Sequence, residues 1–352
     1  MFDLSVYQGK KVWVTGHNGF KGSWLCKVLA LAGARVCGYS LALPDTKNLF
    51  SLMDLSDSVV SIIGDVRDRK TLEKEFTAFA PEYVFHLAAQ PLVKFSYQEP
   101  AYTYETNVMG TVNLLDCARR SSSVRSILNV TTDKVYENKE WEWGYRENEP
   151  LNGYDPYSNS KSCSELITST YQRCFFEGKV AISTARAGNV IGGGDFALDR
   201  IIPDCIRAAL EKKEIFLRNP HSIRPYQHVL EPIFAYLYIA WKQSEEMKFA
   251  GTYNIGPEQS DCISTKELAE KFCKTWGENL TYLIEKENQE AVHEASFLTL
   301  DCAKIKKVLK WKPIWNIDTA IQKTVEWVKS YQAKENIEIC MEKQIFSYLE
   351  SI

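Results

Sequence analysis

Short apolar runs alternate with longer amphipathic segments along the first half of the chain. The apolar runs are KKVWVTG, ARVCGYS, VVSIIGD, YVFHLAA and SILNVTT. Between them lie GSWLCKVLALAG, which Gly33 closes, a charged segment from about Asp68, and a long segment through NVMGTVNLLDCARR. Strands that are apolar nearly throughout and are separated by helices are typical of a parallel sheet covered on both faces. The pattern predicts an α/β fold with a doubly wound parallel sheet.

The alternation of apolar runs and amphipathic segments ends at about residue 186, and loops rich in Gly, Pro and Arg follow it. TYNIG is a short strand among scattered helices, and no flexible linker separates the two halves. The tail IEICMEKQIFSYLESI predicts a terminal amphipathic helix that docks on the second lobe or on a partner. We predict a Rossmann core over residues 1–185 with a returning segment at about 225–250, and a smaller, interleaved substrate-binding lobe over residues 186–224 and 251–352.

The composition excludes several classes of function. A chain of 352 residues with a formal net charge of -3 has no concentration of Lys and Arg for binding nucleic acid. It lacks a basic start followed by an apolar segment, and no stretch approaches the roughly 18 apolar residues that a membrane span needs. We therefore expect a cytoplasmic protein with no nucleic-acid or membrane partner.

The cysteines and histidines are scattered and predict neither disulfides nor a metal site. No CxxC pair is present, which fits free thiols in a reducing compartment. The histidines lack the spacing of zinc ligands, so each is expected to be structural or to face the substrate. The cysteines are Cys26, Cys37, Cys117, Cys163, Cys174, Cys205, Cys262, Cys273, Cys302 and Cys340, and the histidines are His17, His86, His221, His228 and His293.

The stretch TGHNGFKG places Gly16, Gly19 and Gly22 between the first predicted strand and the first helix. The diphosphate of a dinucleotide needs a close backbone and the positive end of a helix, and glycine allows both. The spacing TGxxGxxG therefore predicts a dinucleotide site.

The residue that would read the adenosine ribose is not decided by the sequence. Ser40 ends the second predicted strand, where an acidic residue would favour NAD and an Arg would favour NADP. Asp65 and Val66 follow the third predicted strand, where they either contact the adenine or, for Asp65, cap a helix. The choice between NAD and NADP stays open at this point.

GYDPYSNSKSCSEL predicts a helix that carries a reactive Tyr–Lys pair. Asp155 suits the N-cap and Pro156 the first helical position. Tyr157 and Lys161 are four residues apart and so share one face. A nearby ammonium lowers the pKa of a phenol, so Tyr157 is predicted to accept the proton of a sugar or alcohol hydroxyl. The alternative is an ordinary Tyr and Lys on an exposed helix.

VTTDKVYEN puts Thr132, Asp133 and Lys134 at the point where a buried strand ends. An acid and a base at such a place indicate chemistry, and the alternative is a plain salt bridge. If Asp133 and Lys134 form an ion pair, they titrate as one unit. A lysine base must be neutral when it acts, so its pKa would have to be lowered.

The whole pattern resembles the extended short-chain dehydrogenase/reductases and, within them, the family of CDP-glucose 4,6-dehydratases. The resemblance covers nearly the full chain. TTDKVY stands where the family often has TSDKCY, and Asn159 and Ser162 stand where smaller residues are usual. The shared strings are VTGHNGFKGSWL, VFHLAAQPLV, TNVMGTVNLL, TTDKVYENKEWEWGYRENEPLNGYDPYS, ARAGNVIGGGDF, RIIPDCIRA, RNPHSIRPYQHVLEP and LDCAKIKKVLKWKPIW.

This resemblance implies an NAD-dependent dehydratase that acts on CDP-glucose, as a homodimer or higher homo-oligomer. Oxidation at C4 of the glucose acidifies the hydrogen at C5, a base removes it, an acid helps water leave from C6, and hydride returns to C6. Thr132 would hydrogen-bond O4 beside Tyr157. Asp133 would protonate O6, and Lys134 would be the C5 base.

The resemblance also implies two sets of binding residues. In the second lobe, Asn189, Arg200, Arg218 and Arg224 would hold the diphosphate and sugar, because a guanidinium matches phosphate oxygens. Arg224 matches the family best, whereas Arg200 and Arg218 are equally well surface arginines. His228 either lines the substrate site or is structural. The cofactor residues would be Gly16, Asn18, Gly19, Phe20, Gly22, Asp65, Val66, Leu87, Ala88, Ala89, Tyr157 and Lys161.

Two other functions compete with the dehydratase. A nucleotide-sugar 4-epimerase shares the Tyr–Lys pair and the C4 oxidation, but Asp133 and Lys134 argue against it. A non-catalytic NAD-binding sensor or scaffold would not need Thr132, Tyr157 and Lys161 together.

Overall fold

A parallel sheet of seven strands forms the centre of the molecule, in the order Thr252–Ile255, Ala181–Ala187, Ser126–Thr132, Tyr83–His86, Lys11–Thr15, Arg35–Ser40 and Val59–Ile63. The computed structural model describes residues 2–43, 48–284 and 297–352. The predicted doubly wound parallel sheet is confirmed. The strands are β1 (Lys11–Thr15), β2 (Arg35–Ser40), β3 (Val59–Ile63), β4 (Tyr83–His86), β5 (Ser126–Thr132), β6 (Ala181–Ala187), β7 (Val190–Ile191), β8 (Ile215–Leu217), β9 (Ile223–Pro225), β10 (Gln227–His228), β11 (Thr252–Ile255), β12 (Cys262–Ser264) and β13 (Tyr282–Ile284).

Helices cover both faces of this sheet. Gly33, at a φ of 70°, follows the first helix, and the side chain of Asp68 caps the second. The α-helices are α1 (Phe20–Leu31), α2 (Arg69–Phe79), α3 (Val93–Gln98), α4 (Pro100–Tyr104), α5 (Gly110–Arg120), α6 (Pro156–Tyr171), α7 (Ile201–Leu210), α8 (Leu230–Glu245), α9 (Thr265–Trp276), α10 (Ala303–Val308), α11 (Ile317–Gln332) and α12 (Ile337–Glu350). The short 3-10 helices are Leu4–Tyr7, Phe50–Leu52, Asp133–Val135, Met247–Phe249 and Gln259–Asp261, and the π-helical turns are Glu105–Met109 and Gln172–Phe176.

Most strands of the central sheet are largely apolar because the sheet carries a core on each of its faces. In β1, Val12 and Val14 join the core that includes Trp24 of α1. Trp13, between them, points to the opposite core, which includes Phe76 of α2. Alternate residues of a strand face opposite sides, so a sheet covered twice cannot show the apolar–polar alternation of a half-exposed strand.

The second half of the chain forms three small two-stranded sheets and the remaining helices. Strand β11 pairs in parallel with β6, so Thr252–Ile255 belongs to the central sheet rather than to the lobe in which the sequence placed it. The rest of the core-and-lobe division stays a prediction. In the described ranges, no helix combines the length and apolar character needed to cross a lipid bilayer.

The predicted terminal helix is present as α12, and it docks within the same chain. The buried Lys27 of α1 forms ion pairs with Glu338 and Glu342 of α12, at 2.7 and 2.8 Å. Tyr348, near the end of α12, donates a hydrogen bond of 2.7 Å to the buried Glu231 of α8. The helix thereby contacts the core as well as the second half of the chain.

The carboxyl ends of β1, β4 and β5 lie next to one another at a single edge of the sheet. Strand β1 has β2 on one side and β4 on the other, so successive connections leave in opposite directions between β1 and β4. Such a switch point leaves a crevice beyond the strand ends, where α/β proteins bind ligands.

Candidate active site

The loop after β1 comes so close to its neighbours that two of its glycines admit no side chain. Gly16 has a φ of 74°, and a Cβ there would lie 2.8 Å from the Ala88 nitrogen. A Cβ at Gly22 would lie 2.0 Å from the Gly16 oxygen. These two glycines let α1 start directly against the loop. Gly19 has more room, since its Cβ would be 3.4 Å from the nearest atom, the same Gly16 oxygen.

The start of α1 fits the diphosphate of a dinucleotide. Gly19 is the N-cap of the helix and offers no side-chain hydrogen bond to its first turn. The positive end of the helix dipole therefore lies next to the loop without a capping oxygen. Around it, Asn18 donates to the Leu41 carbonyl at 2.8 Å, and the amides of Leu87 and Ala88 donate to Thr15 Oγ1. Phe20 and Ala89 are partly exposed beside them.

The end of β2 contains an unexpected histidine contact. His17 is fully buried, with its ring nitrogens 2.8 Å from Ser40 Oγ and 2.7 Å from Ser61 Oγ. Burial lowers the pKa of His17 to about 4, so the ring is neutral at physiological pH. Ser40, the predicted ribose position, is therefore held by an imidazole of the glycine loop.

Asp65 and Val66 lie at the same edge of the sheet. Asp65 forms a bidentate pair with Arg67, with Nη2–Oδ2 at 2.6 Å and Nε–Oδ1 at 3.1 Å. The helix cap that was the alternative role for Asp65 is supplied by Asp68 instead. Val66 is buried, and its backbone oxygen accepts from Asn113.

The Tyr–Lys pair lies on α6, which begins as the sequence predicts. The Asp155 side chain accepts from the Ser158 amide, and Pro156 occupies the first turn. Tyr157 and Lys161 share the face that looks toward the end of β5. Lys161 is 3% exposed, and its ammonium donates to the Val130 carbonyl of β5 at 2.8 Å.

The electrostatics of this pair differ from the sequence prediction. Burial raises the pKa of Tyr157 to about 12, against the opposing effects of the Thr132 hydroxyl and Arg200. The net shift is upward, so the prediction that the pKa of this phenol is lowered is wrong. Burial also lowers the pKa of Lys161 to about 8, which Glu165 opposes. Burial moves both groups toward their neutral forms.

Asp133 is the most enclosed of the predicted catalytic groups. It begins the short 3-10 helix that follows β5 and is 2% exposed. Its Oδ1 accepts from Thr132 Oγ1 at 3.0 Å, whereas Oδ2 has no hydrogen-bond partner among the described residues. Burial raises the pKa of Asp133, and Lys134, Thr132, Arg224 and Lys21 oppose it in that order. A buried carboxyl with an open oxygen is suited to hold and deliver a proton.

Lys134 lies beside Asp133 but is not its salt-bridge partner. Within the described residues, no ion pair joins the two side chains at 4.0 Å or less. Lys134 is partly exposed, and its amide donates to Thr132 Oγ1 at 3.4 Å. The plain salt bridge that was the alternative reading of VTTDKVYEN therefore does not form.

Lys21 is a candidate that the sequence reasoning missed. It precedes Gly22 in the first turn of α1, and its ammonium is close enough to Asp133, Asp195, Lys161 and Arg200 for their charges to shift its pKa. Burial is the largest cause and lowers that pKa to about 8. The available signal was a lysine between the second and third glycines of the TGxxGxxG pattern.

The four predicted substrate-binding residues separate into two groups. Arg200 pairs with Asp195 at 3.2 Å and acts on the pKa of Tyr157, and the buried Arg224 acts on that of Asp133. Asn189 is partly exposed just after β6, and its carbonyl accepts from the Gln227 amide. Arg218 is exposed and pairs with Asp199 at 2.5 Å and Asp204 at 3.1 Å. No contact brings it to the catalytic groups within the described part of the chain.

His86 and His228 are buried, and burial lowers the pKa of each to about 3. His86 bonds Thr15 and Thr111, whereas His228 packs on Trp24 and Trp315. His221 is exposed, and His293 lies outside the described residues. All ten cysteines are free thiols, as predicted.

Relatives match the sequence of this chain over most of their lengths. The chain is 44% identical to a CDP-glucose 4,6-dehydratase of Salmonella typhimurium, over 100% of this chain and 99% of the relative. It is 28% identical to a dTDP-glucose 4,6-dehydratase of the same organism, over 90% of this chain and 92% of that one.

Solved structures share the fold at lower identity. A dTDP-glucose 4,6-dehydratase from Bacillus anthracis in complex with NAD superposes with a TM-score of 0.76 at 21% identity, over 94% of this chain and 100% of that one. A UDP-glucose 4-epimerase from Thermotoga maritima gives a TM-score of 0.79 at 22% identity, over 92% and 99%. The family described as GDP-mannose 4,6 dehydratase matches residues 13–324. The chain therefore belongs to the GDP-mannose 4,6-dehydratase family.

Proposed function

We propose that the protein is an NAD-dependent CDP-glucose 4,6-dehydratase, which converts CDP-glucose to CDP-4-keto-6-deoxyglucose and water. The observation that carries this proposal is the buried Asp133 at the carboxyl end of β5, which together with Thr132 is close enough to Tyr157 to shift the pKa of its phenol, with Lys134 next in the chain. The full-length identity of 44% to a protein of that name supports the nucleotide and the sugar. A simple dehydrogenase would have no use for the additional acid and base.

The glycine loop and the crevice beside it would hold the NAD. Gly16, Gly19 and Gly22 let the diphosphate approach the start of α1. When bound, NAD supplies the acceptor for the hydride that leaves C4 and the donor of the hydride that reaches C6. The other residues assigned to this site are Asn18, Phe20, Asp65, Val66, Leu87, Ala88, Ala89, Tyr157 and Lys161.

Tyr157 accepts the proton of the C4 hydroxyl in the oxidation step. Thr132 hydrogen-bonds the same oxygen and holds it beside the phenol, since the hydroxyl already lowers the pKa of Tyr157. Lys161, fixed by the Val130 carbonyl, keeps a positive charge on the same helix face. The phenol needs a nearby positive charge because burial alone favours its neutral form.

Lys134 and Asp133 carry out the elimination. Once C4 is a ketone, Lys134 takes the proton from C5, and the electron pair forms the C5–C6 double bond. The bond from C6 to its oxygen breaks, and Asp133 gives that oxygen a proton so that water leaves. As C6 receives the hydride, C5 takes back a proton, which Lys134 can supply. The raised pKa of Asp133 keeps this proton available, and its open Oδ2 can face the leaving oxygen.

The arginines would bind the diphosphate and sugar. The charges of Arg200 and Arg224 lower the pKa values of Tyr157 and Asp133, respectively, and two guanidinium groups suit a diphosphate dianion. Asn189 lies on the connection between β6 and β7 and would complete the sugar site. The part of Arg218 in holding the diphosphate and sugar stays a prediction. The homo-oligomer implied by the sequence stays a prediction.

The decisive experiment is to incubate the protein with CDP-glucose and a small amount of NAD and to identify the product. A 4-keto-6-deoxy sugar formed over many turnovers per NAD is expected, since the hydride is returned. A galactose epimer would point to the epimerase, and one equivalent of product per NAD would point to a simple dehydrogenase. Absence of turnover, with NAD bound, would favour a sensor or scaffold.

A further inference from the structure

A buried ion pair joins the catalytic helix, α6, to strand β6. Glu165 is one helical turn after Lys161 on α6, and Arg186 is on β6, each 3% exposed. Arg186 donates through Nε to Oε1 at 3.0 Å and through Nη2 to Oε2 at 2.9 Å. The hydroxyls of Thr131 and Thr184 donate to the same two carboxylate oxygens. The carboxylate is thus fully hydrogen-bonded.

The third nitrogen of Arg186 extends this network to the elimination turn, which is the 3-10 helix Asp133–Val135. Nη1 donates to the Tyr136 hydroxyl at 2.8 Å and to the Glu147 carbonyl at 3.1 Å. The Tyr136 hydroxyl donates in turn to Asn254 Oδ1 of β11 at 2.5 Å. Tyr136 directly follows the 3-10 helix Asp133–Val135. One chain of contacts therefore joins the helix that carries Tyr157 to the turn that carries Asp133.

This turn needs outside support. It has three residues, and the contact from the Lys134 amide to Thr132 Oγ1 is long, at 3.4 Å. The support comes from α6, where Ser162 Oγ donates to the Val135 carbonyl at 2.7 Å, and from the hydroxyl of Tyr136. The Asp133 carboxyl is held only through Oδ1, by Thr132 Oγ1 at 3.0 Å, while Oδ2 has no partner among the described residues, so the place of Oδ2 depends on where the backbone of the turn is held.

We propose that Tyr136 and Arg186 are positioning residues for the elimination step, which hold the Asp133–Lys134 turn at a fixed place against the Tyr157 helix. This inference rests on the proposed dehydratase function. A buried ion pair is a weak stabilising device, since apolar residues often replace it without loss. Its planar, directional hydrogen bonds do fix geometry, and displacements of about 1 Å near reacting groups cost up to roughly a hundredfold in rate.

Tyr136→Phe tests the proposal with the smallest change. It removes the hydroxyl but keeps the ring, which stacks on Tyr145 at 5.1 Å and lies 4.9 Å from the Arg186 guanidinium. Arg186 keeps its pair with Glu165, so no buried charge loses its partner. Substitution of Arg186 itself would strand Glu165 and destabilise the fold.

The matched control is Tyr145→Phe. Tyr145 is also buried, and its hydroxyl bonds the Lys139 amide and Asn138 in the same segment of chain. It contacts Tyr136 only through the stacked rings, so the variant loses a tyrosine hydroxyl without touching the Arg186 network. Thermal midpoints of both variants give the cost of each change to folding.

The measurement is a single turnover with CDP-glucose, with C4 oxidation and C6 dehydration followed separately by rapid quench. For Tyr136→Phe, oxidation within about twofold of the unsubstituted protein and dehydration slower by about tenfold or more are expected, with the 4-keto, 6-hydroxy sugar accumulating. Tyr145→Phe should change neither rate. Equal slowing of both steps, or unchanged dehydration, would overturn the proposal. Absence of C4 oxidation in the unsubstituted protein would instead overturn the proposed function.

Discussion

The catalytic helix and the elimination turn meet at the end of the same strand, but they are built differently. The helix has 16 residues, an Asp cap and Pro156 in its first turn, so the relative position of Tyr157 and Lys161 follows from the helix itself. The turn has three residues and depends on contacts from Ser162 and Tyr136. Local sequence therefore determines the geometry of the catalytic helix, whereas tertiary packing determines that of the elimination turn.

The same burial also has opposite consequences for the two devices. It raises the pKa of Tyr157 to about 12, which favours the protonated phenol and hinders a base. It raises the pKa of Asp133 as well, which favours the protonated carboxyl and assists an acid. Burial by itself therefore favours the protonated Asp133 that acts as the acid. The Tyr157 phenol, in contrast, depends on nearby positive charge, such as that of Arg200, to act as the base.

Tyr157→Phe should have the largest effect on turnover, and it should act on the C4 oxidation step alone. The ring and its packing remain, but the proton acceptor is lost, so turnover should fall by roughly a hundredfold or more with little change in substrate affinity. Steady-state kinetics and a binding titration with CDP-glucose check both values. Tyr154→Phe, at an exposed tyrosine three residues earlier, is the control. Near-normal turnover in a folded Tyr157→Phe variant would remove Tyr157 from the mechanism.

Lys134→Met should break the elimination side. C4 oxidation stays possible, so the 4-keto intermediate should accumulate, and exchange of the C5 hydrogen with solvent should slow by about a hundredfold. Asp133→Asn should also slow water loss, but it should leave C5 exchange intact because the base remains. Lys139→Met, at an exposed lysine of the same segment, is the control.

Exchange of the C5 hydrogen separates the two roles. The measurement follows deuterium incorporation from solvent by mass spectrometry, after a check of thermal stability in each variant. Normal exchange in Lys134→Met would exclude this lysine as the C5 base. Product formation at the normal rate in both Lys134→Met and Asp133→Asn would leave the turn without a catalytic role.

Much of the fold could be predicted because continuous apolar strands and capped helices are local signals. Gly33, Asp68 and Asp155 end or begin helices as their residue types indicate. The place of TYNIG could not be predicted, because its pairing with β6 joins residues about 70 positions apart, as in Tyr253 with Ala185. No local pattern encodes such a pairing.

The site shows the same division. The spacing of Tyr157 and Lys161 was readable, but the rise in the phenol's pKa was not, because burial depends on the whole crevice. Lys21 was missed because the glycine pattern gives its position no meaning, although folding brings it near Asp133. The burial of Arg224 and the exposure of Arg218 likewise depend on tertiary packing.

Arg200→Gln should weaken binding and also sharpen the comparison between the two devices. Loss of a guanidinium that bonds phosphate costs about 1.5–3 kcal/mol, so KM should rise by at least about tenfold. C4 oxidation should slow further, because Arg200 lowers the pKa of Tyr157, whereas dehydration of the ketone should not. Arg218→Gln, at an exposed arginine paired with two aspartates, should change KM by less than about twofold. Equal effects of the two variants on KM would contradict this assignment.

A change of one pH unit should have the smallest effect, and it should move the oxidation step and the elimination step in opposite directions. The pKa of Tyr157 is about 12, so near neutrality the phenolate is a minor form, and each added pH unit should speed C4 oxidation by up to about tenfold. Asp133 must be protonated to donate, so dehydration should slow as the pH rises through its raised pKa. Single-turnover measurements of both steps over the pH range in which the protein stays folded should therefore show the 4-keto intermediate accumulating more at higher pH. Asp133→Asn provides the control, since its amide does not titrate and the decline of dehydration with pH should disappear while the rise of oxidation remains. If the ratio of the two rates did not change with pH, or if Asp133→Asn kept the decline, Asp133 would not be the acid whose protonation limits the release of water.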